Sequence, residues 1–353
     1  MPIWLSPAFF LSGIDQQCAM DNQLWWRISR VRGLNAHVIY QLYAIEPDPT
    51  RWVDGVGGRI DGAVRARLSA ALSGAVVAPD NPQHDRLIRC IDAAYPAPLW
   101  ALPDPPKQLW VRGNAALLSR PMSAIVGSRD ASVDGRYLAY AAAEAARVDG
   151  HCVISGGARG IDAAAHAGAL DCTVAVMGGG LSRQHPRECW SLFERILARG
   201  ALISEVAADT PPRAGLFPRR NRIIAALCQR LLVVQGGVDS GSLITARIAL
   251  AMDRDIWAVP GSPLLLNAAG PNGLIRDGAQ VWLADSNWGR IELHSRQPSC
   301  ELGHALGEKA HSVPELARAL GWPQARVLAG LTALKLEGCI AVAAGRYRWK
   351  YHA

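Results

Sequence analysis

The run Cys152-Val153-Ile154-Ser155 ends in Gly156-Gly157-Ala158-Arg159-Gly160, and Ile161-Asp162 with the alanines and His166 behind it reads as a helix. A short apolar run is a buried strand, and the glycines let the backbone turn with little steric cost. A helix N-terminus presents unpaired N–H groups and a partial positive charge, which suits a phosphate. The unit is an anion site or, on the plainer reading, a packing turn of a doubly wound sheet. It is not a standard nucleotide fingerprint. The dinucleotide motif needs G-x-G-x-x-G where this turn reads G-G-x-x-G, and a P-loop needs a Gly-Lys pair that occurs nowhere in the chain.

Similar apolar runs at 123–126, 173–177, 201–203, 231–234 and 256–259 alternate with Ala-rich helical stretches such as 135–148 and 161–169. That alternation predicts an α/β fold with a mostly parallel sheet and helices on both faces. Ligands of such sheets sit beyond the C-terminal strand ends, where all the unusual turns fall. Residues 1–78 are expected to form a small helical domain. In it Trp25, Ile28, Val31, Leu34, Val38 and Leu42 recur near helical spacing, and the turns at Gly33 and at 55–58 resemble helix-hairpin-helix modules. Such a module binds a DNA backbone or merely packs. The sheet domain is expected over 79–285 and an aperiodic linker over 286–311. Residues 312–353 follow the order of a winged-helix module: Ser312 caps one helix, a second covers 323–337, and a hairpin turns at Gly345. Its basic excess suits duplex DNA or a protein partner.

The net charge of +7 permits an acidic partner, and only four of the 37 basic residues are Lys, so phosphate contacts would fall to Arg. The eight scattered cysteines lack metal-like spacing and suit a reducing cytoplasm. The apolar start at 1–14 has no basic flank and is not read as a signal peptide, and no apolar run suffices to cross a bilayer.

Two more turns extend the phosphate reading. Gly127-Ser128-Arg129 sets a hydroxyl and a guanidinium just past a strand, and Ser240-Gly241-Ser242 opens a helix in which Ser242 is also readable as an ordinary cap. Between Asp209 and Asp239 no acid occurs, and Phe217-Pro218-Arg219-Arg220-Asn221-Arg222 joins an aromatic to clustered guanidiniums. Arg219 and Arg222 share a helical face. Cations beside an aromatic suit single strands, although a solvated basic helix has the same composition.

The order of these motifs, from Tyr95-Pro96 through Gly127-Ser128-Arg129, Ser155 to Asp162 with His166, Gly178-Gly179-Gly180, Ser204-Glu205, Phe217 to Ile224, Ser240 to Ala246 and Pro260-Gly261, resembles the DNA-processing protein A (DprA/Smf) family. The resemblance implies an extended Rossmann-like domain that binds single-stranded DNA, loads the RecA recombinase in natural transformation and forms a homodimer, with single-strand-binding protein as a further partner. It implies no cofactor, metal or membrane partner. Carried over, the backbone pocket comprises Gly127, Ser128, Arg129, Ser155, Gly156, Gly157, Ala158, Arg159, Gly160, Phe217, Arg219, Arg220, Asn221 and Arg222, to which the residue reading adds Ser240 and Ser242. In the expected mechanism the Gly-turn amides take successive phosphates, Arg129, Arg159, Arg220 and Arg222 neutralise them, and base identity goes unread. The chain departs from the family at His185-Pro186, where Tyr-Pro is usual, and at Gln235-Gly236-Gly237, where Val-Glu-Ala is usual. The rival reading is a nucleotide phosphoribohydrolase. Residues 235–242 weakly echo its P-G-G-x-G-T-x-x-E stretch without the Glu. Asp162 and His166 are readable as an acid/base or metal pair or as a structural bond, and Glu205 is the other candidate carboxylate.

Overall fold

A computed structural model describes residues 20–54, 60–74, 84–283, 288, 301–306, 310–336, 340–343 and 345–349. The expectations for 1–14, for the Gly-rich turn at 55–58 and for the boundary near residue 79 lie outside these. The described chain opens with helices α1 (Asn22–Ser29), α2 (Ala36–Ile45) and α3 (Gly62–Ser73), each entered through a side-chain cap from Asp21, Asn35 and Asp61 in turn. Their apolar faces do not close a core of their own. Trp25, Ile28, Ile39, Leu42 and Leu68 lie in one continuous buried cluster with Ile88, Leu109 and Val111 of the sheet. The Trp25 indole N–H donates to Gln108 Oε1 at 2.6 Å inside that cluster.

There follow β1 (Asp85–Arg89), β2 (Gln108–Gly113), β3 (Met122–Val126), α4 (Val133–Val148), β4 (Cys152–Gly156), α5 (Ile161–Gly168), β5 (Thr173–Val176) and α6 (Trp190–Leu197). Then come β6 (Ala201–Ser204), α7 (Leu216–Leu227), β7 (Arg230–Val233), α8 (Gly241–Leu250), β8 (Asp255–Ala258), α9 (Ala269–Arg276) and β9 (Gln280–Val281). One nine-stranded sheet results, in the order β1-β2-β6-β5-β4-β3-β7-β8-β9. Neighbours from β6 through β9 are parallel, and β2 and β1 extend the β6 edge antiparallel. Every residue of β3 and β4 is buried, as strands covered on both faces must be. The strand order reverses at β3, with β4 on one side and β7 on the other. That switch point opens a crevice at the C-terminal strand ends.

The chain divides into two compact units, residues 1–289 and 290–353. The second contains α10 (Glu301–Leu306), α11 (Val313–Leu320), α12 (Gln324–Leu336) and the antiparallel pair β10 (Ile340–Ala343) and β11 (Arg346–Trp349). Ser312 and Glu315 form a capping box at α11, and Gly345 turns the hairpin at φ 72°. Leu302 and Leu306 of α10 join Leu316, Val327, Leu331, Leu334 and Ile340 in its core. A helix therefore stands inside the stretch 286–311 expected to be an aperiodic linker. Six residues are too few to display a helical period, and only the burial of two leucines reveals it.

The shared core gives a first prediction. Trp25→Ala leaves a large cavity and an unpartnered Gln108 amide between α1 and β2, so it should lower the unfolding free energy of the sheet unit by about 3–5 kcal/mol. Urea unfolding monitored by circular dichroism measures this. A loss confined to the α1–α3 helices, with the sheet transition unmoved, would contradict the shared core.

Candidate nucleic-acid interface

A cleft of about 650 Å³ lies at the switch point. The turn after β3 supplies Gly127, Ser128 and Arg129, helix α7 supplies Phe217, Pro218, Arg220 and Asn221, and the start of α8 supplies Ser240, Gly241 and Ser242. From the turn after β4 only Ala158 and, from α5, Asp162 reach it.

The turn after β3 is built by backbone contacts. Ser128 N–H donates to the Gln235 carbonyl at 2.7 Å, and the Ser128 carbonyl accepts from Ile161 N–H at 3.1 Å. The Gln235 amide continues the clamp, accepting from Ser132 N–H at 3.0 Å and donating to Ser132 Oγ at 2.8 Å. Gln235 thus holds the β3 turn and the start of α4 together. Sequence reasoning noted it only as a departure from the family, which is the signal that could have singled it out.

The Gly156–Gly160 turn serves this architecture differently from expectation. Gly156 and Gly157 are buried. Gly160 has φ 78°, and a side chain there would collide with the carbonyl oxygens of Ser128 and Arg129. A side chain at Gly156 would run into the Asp162 carboxylate and the Arg220 guanidinium. Ser155 Oγ is spent on the Ile125 carbonyl at 2.5 Å. Arg159 is exposed and pairs with Asp130 at 2.7 Å and Glu188 at 3.7 Å. The first helical N–H of α5 is already bonded to Ser128. The turn that reads most like a phosphate cradle packs against the neighbouring turn through Gly160 and Ile161, and Ser155, Gly156, Gly157, Arg159 and Gly160 do not line the cleft.

Helix α7 divides its residues between two faces. Arg220 is buried, with Nη1 donating to the Val176 carbonyl and Nε to Asn221 Oδ1 at 3.1 Å. Asn221 Nδ2 in turn donates to the Gly241 carbonyl at 3.2 Å, joining α7 to α8. Phe217 lies against Gly178, and the exposed Arg129 guanidinium stands 5.5 Å from the centroid of its ring. Arg219 and Arg222 do share a face, but it looks away from the cleft onto Glu205, at 3.0 and 2.6 Å. The Arg222 side chain is only 12% exposed. An acid distant in sequence has claimed both guanidiniums expected for phosphate.

At α8, Ser240 is the cap, accepting from Ser242 N–H, and the two hydroxyls lie 2.8 Å apart. The positive end of a ten-residue helix thus meets the cleft with two hydroxyls, in a lining that also includes Arg129.

The family model for DNA recombination-mediator protein A matches residues 86–288. Protein Smf of Escherichia coli is 36% identical over 292 residues, covering 76% of this chain and 78% of that protein. The chain belongs to the DNA recombination-mediator protein A family. The structure of DNA processing protein A from Streptococcus pneumoniae superposes with a TM-score of 0.62 at 31% identity, over 74% of this chain and 95% of that one. The Helicobacter pylori DNA processing protein A, whose structure concerns its single-stranded DNA binding mode, superposes at 0.52 with 29% identity, over 56% of this chain and 90% of that one.

In this recombination-mediator chain the remaining titratable pair is structural. His166 is fully buried, with Nε2 at 2.9 Å from the Gly156 carbonyl and Nδ1 at 2.7 Å from Thr173 Oγ1. Nε2 faces a carbonyl and carries a proton, donating to Gly156, while Thr173 Oγ1 stands between Nδ1 and the Val153 carbonyl, which it meets at 2.9 Å. Burial pushes His166 down to about 4. Burial also pushes the Asp162 carboxyl up to about 6, against the pull of Arg220 and of the Ala158 backbone N–H.

These shifts act on stability in opposite directions. Between 3.8 and about 6 the folded state holds a proton on Asp162 that the unfolded chain has released, so that contribution is lost as pH rises through the window. Between about 4 and 6.5 the unfolded chain takes a proton that folded His166 refuses, so that contribution is lost as pH falls. Asp162→Asn leaves the histidine unopposed. Its unfolding free energy in urea should fall between neutral pH and about pH 4 by on the order of 2–3 kcal/mol more than the parent's. Parallel pH curves for the two proteins would refute the assignment.

Proposed function

We propose that this chain binds single-stranded DNA along its phosphate backbone in the switch-point cleft, without catalysis. The observation that carries this reading is Arg129 held over Phe217 on one wall while Ser240 and Ser242 head α8 on another. The guanidinium and the helix end suit phosphates, and the aromatic suits an unstacked base. The H. pylori relative's single-stranded DNA binding mode supports it. Against the phosphoribohydrolase reading, Glu205 is engaged by Arg219 and Arg222, and His166 has both ring nitrogens bound inside the scaffold.

The pocket in this reading consists of Gly127, Ser128, Arg129, Ala158, Phe217, Arg220, Asn221, Ser240 and Ser242. Arg219, Arg222 and the remaining residues of the Gly156 turn support it. From the family we extend the reading to loading of the RecA recombinase in natural transformation, to a homodimer and to contact with single-strand-binding protein. We assign the helical start at 1–78 and the winged-helix order of 312–353 to auxiliary domains around a central 79–285 domain. Five described cysteines are free and buried, which suits a reducing cytoplasm. Among the described residues no helix is long and apolar enough to cross a membrane.

Affinity for an unstructured oligonucleotide should exceed that for duplex of the same length. Its logarithm should fall with the logarithm of salt at roughly −0.7 per neutralised phosphate. Fluorescence anisotropy across a salt series tests both, with nucleoside monophosphates incubated alongside for release of base or phosphate. Equal affinity for duplex, a flat salt response, or release that disappears in Glu205→Gln would each count against the reading.

Arg129 and Arg222 should respond differently to truncation. Arg129→Ala removes an exposed guanidinium from the cleft and should weaken strand binding by on the order of 1–3 kcal/mol with folding intact. Arg222→Ala leaves Glu205 short of a partner and should lower thermal stability more than affinity. The same anisotropy assay, paired with thermal melts, distinguishes them; the reverse ranking would move the pocket to the Glu205 face.

A further inference from the structure

The loop from β5 to α6 carries aromatic and basic side chains that the cleft does not use. His185 is exposed, its ring 6.3 Å from the Phe217 ring. Trp190, the first residue of α6, is 47% exposed, an unusual state for so large an apolar group. Its indole N–H donates to the Gln184 carbonyl at 3.0 Å, which pins the ring to the backbone beside His185. The Arg187 guanidinium stands 5.8 Å from the Trp190 ring centroid. A tryptophan whose polar edge is satisfied and whose ring remains half open is built to receive another flat surface.

Continuity with the cleft gives the occupant. Phe217 of α7 packs on Gly178 at the root of this loop and has the His185 ring 6.3 Å away, while Trp190 is tied to the Gln184 carbonyl next to His185, so the three rings are linked through this loop at the margin of the cleft. Arg183 and Arg187 are exposed on it, and Arg159 reaches its edge through Glu188. Alternating rings and guanidiniums match the alternating bases and phosphates of a single strand, and stacking of this kind tolerates any base. Glu188 is the one acid on the loop, and Arg159 offsets it at 3.7 Å.

We infer that Trp190 is a second nucleobase platform, where a strand leaving the cleft past Phe217 and His185 stacks a base on the indole while Arg187 takes the adjoining phosphate. The inference rests on the single-strand reading above and adds to it a path and a direction. It also makes the site longer than the cleft, so affinity must depend on strand length.

The test uses the full chain, a dT oligonucleotide of about 5 nucleotides that fills the cleft and one of about 15 that reaches past it. The parent should bind the longer strand more tightly. Trp190→Ala should lose about tenfold on the longer strand and nothing on the shorter, which also certifies its fold, and Trp190→Phe should recover most of the loss. Abasic sugars in the outer half of the longer strand should cost the parent about the same factor and Trp190→Ala almost none. Parent-like binding of the longer strand by Trp190→Ala, or equal weakening of both strands, overturns the platform and leaves the cleft standing. Failure of the parent to bind either strand overturns the single-strand reading and the platform with it.

Discussion

The site depends on one buried guanidinium. Arg220 is 8% exposed, beneath the C-terminal ends of β4 and β5, where it donates to the Val176 carbonyl and lies beside Asp162. Removing a charge from water is costly unless hydrogen bonds and an opposite charge replace the solvent. Asp162 supplies that charge, and Gly156 supplies the room, since any side chain there would occupy the space of both groups. With Arg220 fixed in this way, α7 has one rotation about its axis. That rotation sends Phe217 and Asn221 to the cleft and Arg219 and Arg222 to Glu205.

The same constraint explains why the glycines matter without touching the cleft. Gly160 brings the α5 end against the Ser128-Arg129 backbone, and the Ile161 N–H bonds the Ser128 carbonyl. The chain uses its most anion-like turn to position the next turn. The residues that line the cleft are displaced by one strand, to the crevice between β3 and β7. A parallel sheet opens only where its strand order reverses, because elsewhere consecutive helices cover the strand ends side by side.

Electrostatically, the cleft is sparing. Arg129 is its exposed cation, the α8 terminus adds a partial charge, and burial keeps Asp162 inclined to hold its proton near pH 6. Such a site suits a polyanion that is held at several points along its length. The arginine and aromatic side chains of the β5–α6 loop extend that series beyond the cleft. In the function proposed above, phosphate and stacking contacts carry little base information and favour strand capture over sequence choice.

The sequence by itself determined the sheet. Short apolar runs buried on both faces, separated by Ala-rich helices, have few other ways to fold, and the runs at 123–126, 152–154 and 231–234 are strands β3, β4 and β7. It also determined the motifs that converge on one sheet edge, since strand ends and the turns after them are local features. Three things were decided only in three dimensions. The first is that α1–α3 share the core of the sheet, because periodicity tells which face is apolar but not what it meets. The second is that Glu205 takes Arg219 and Arg222, because an ion pair between an acid on one loop and a helix far along the chain leaves no trace in local spacing. The third is that Gly156 and Gly160 are pressed against neighbouring groups, that Ser155 bonds the Ile125 carbonyl and that Ser240 is the helix cap. Whether an amide or hydroxyl is free for a ligand depends on which partner folding brings to it, and here the Ser128 and Ile125 carbonyls arrived first.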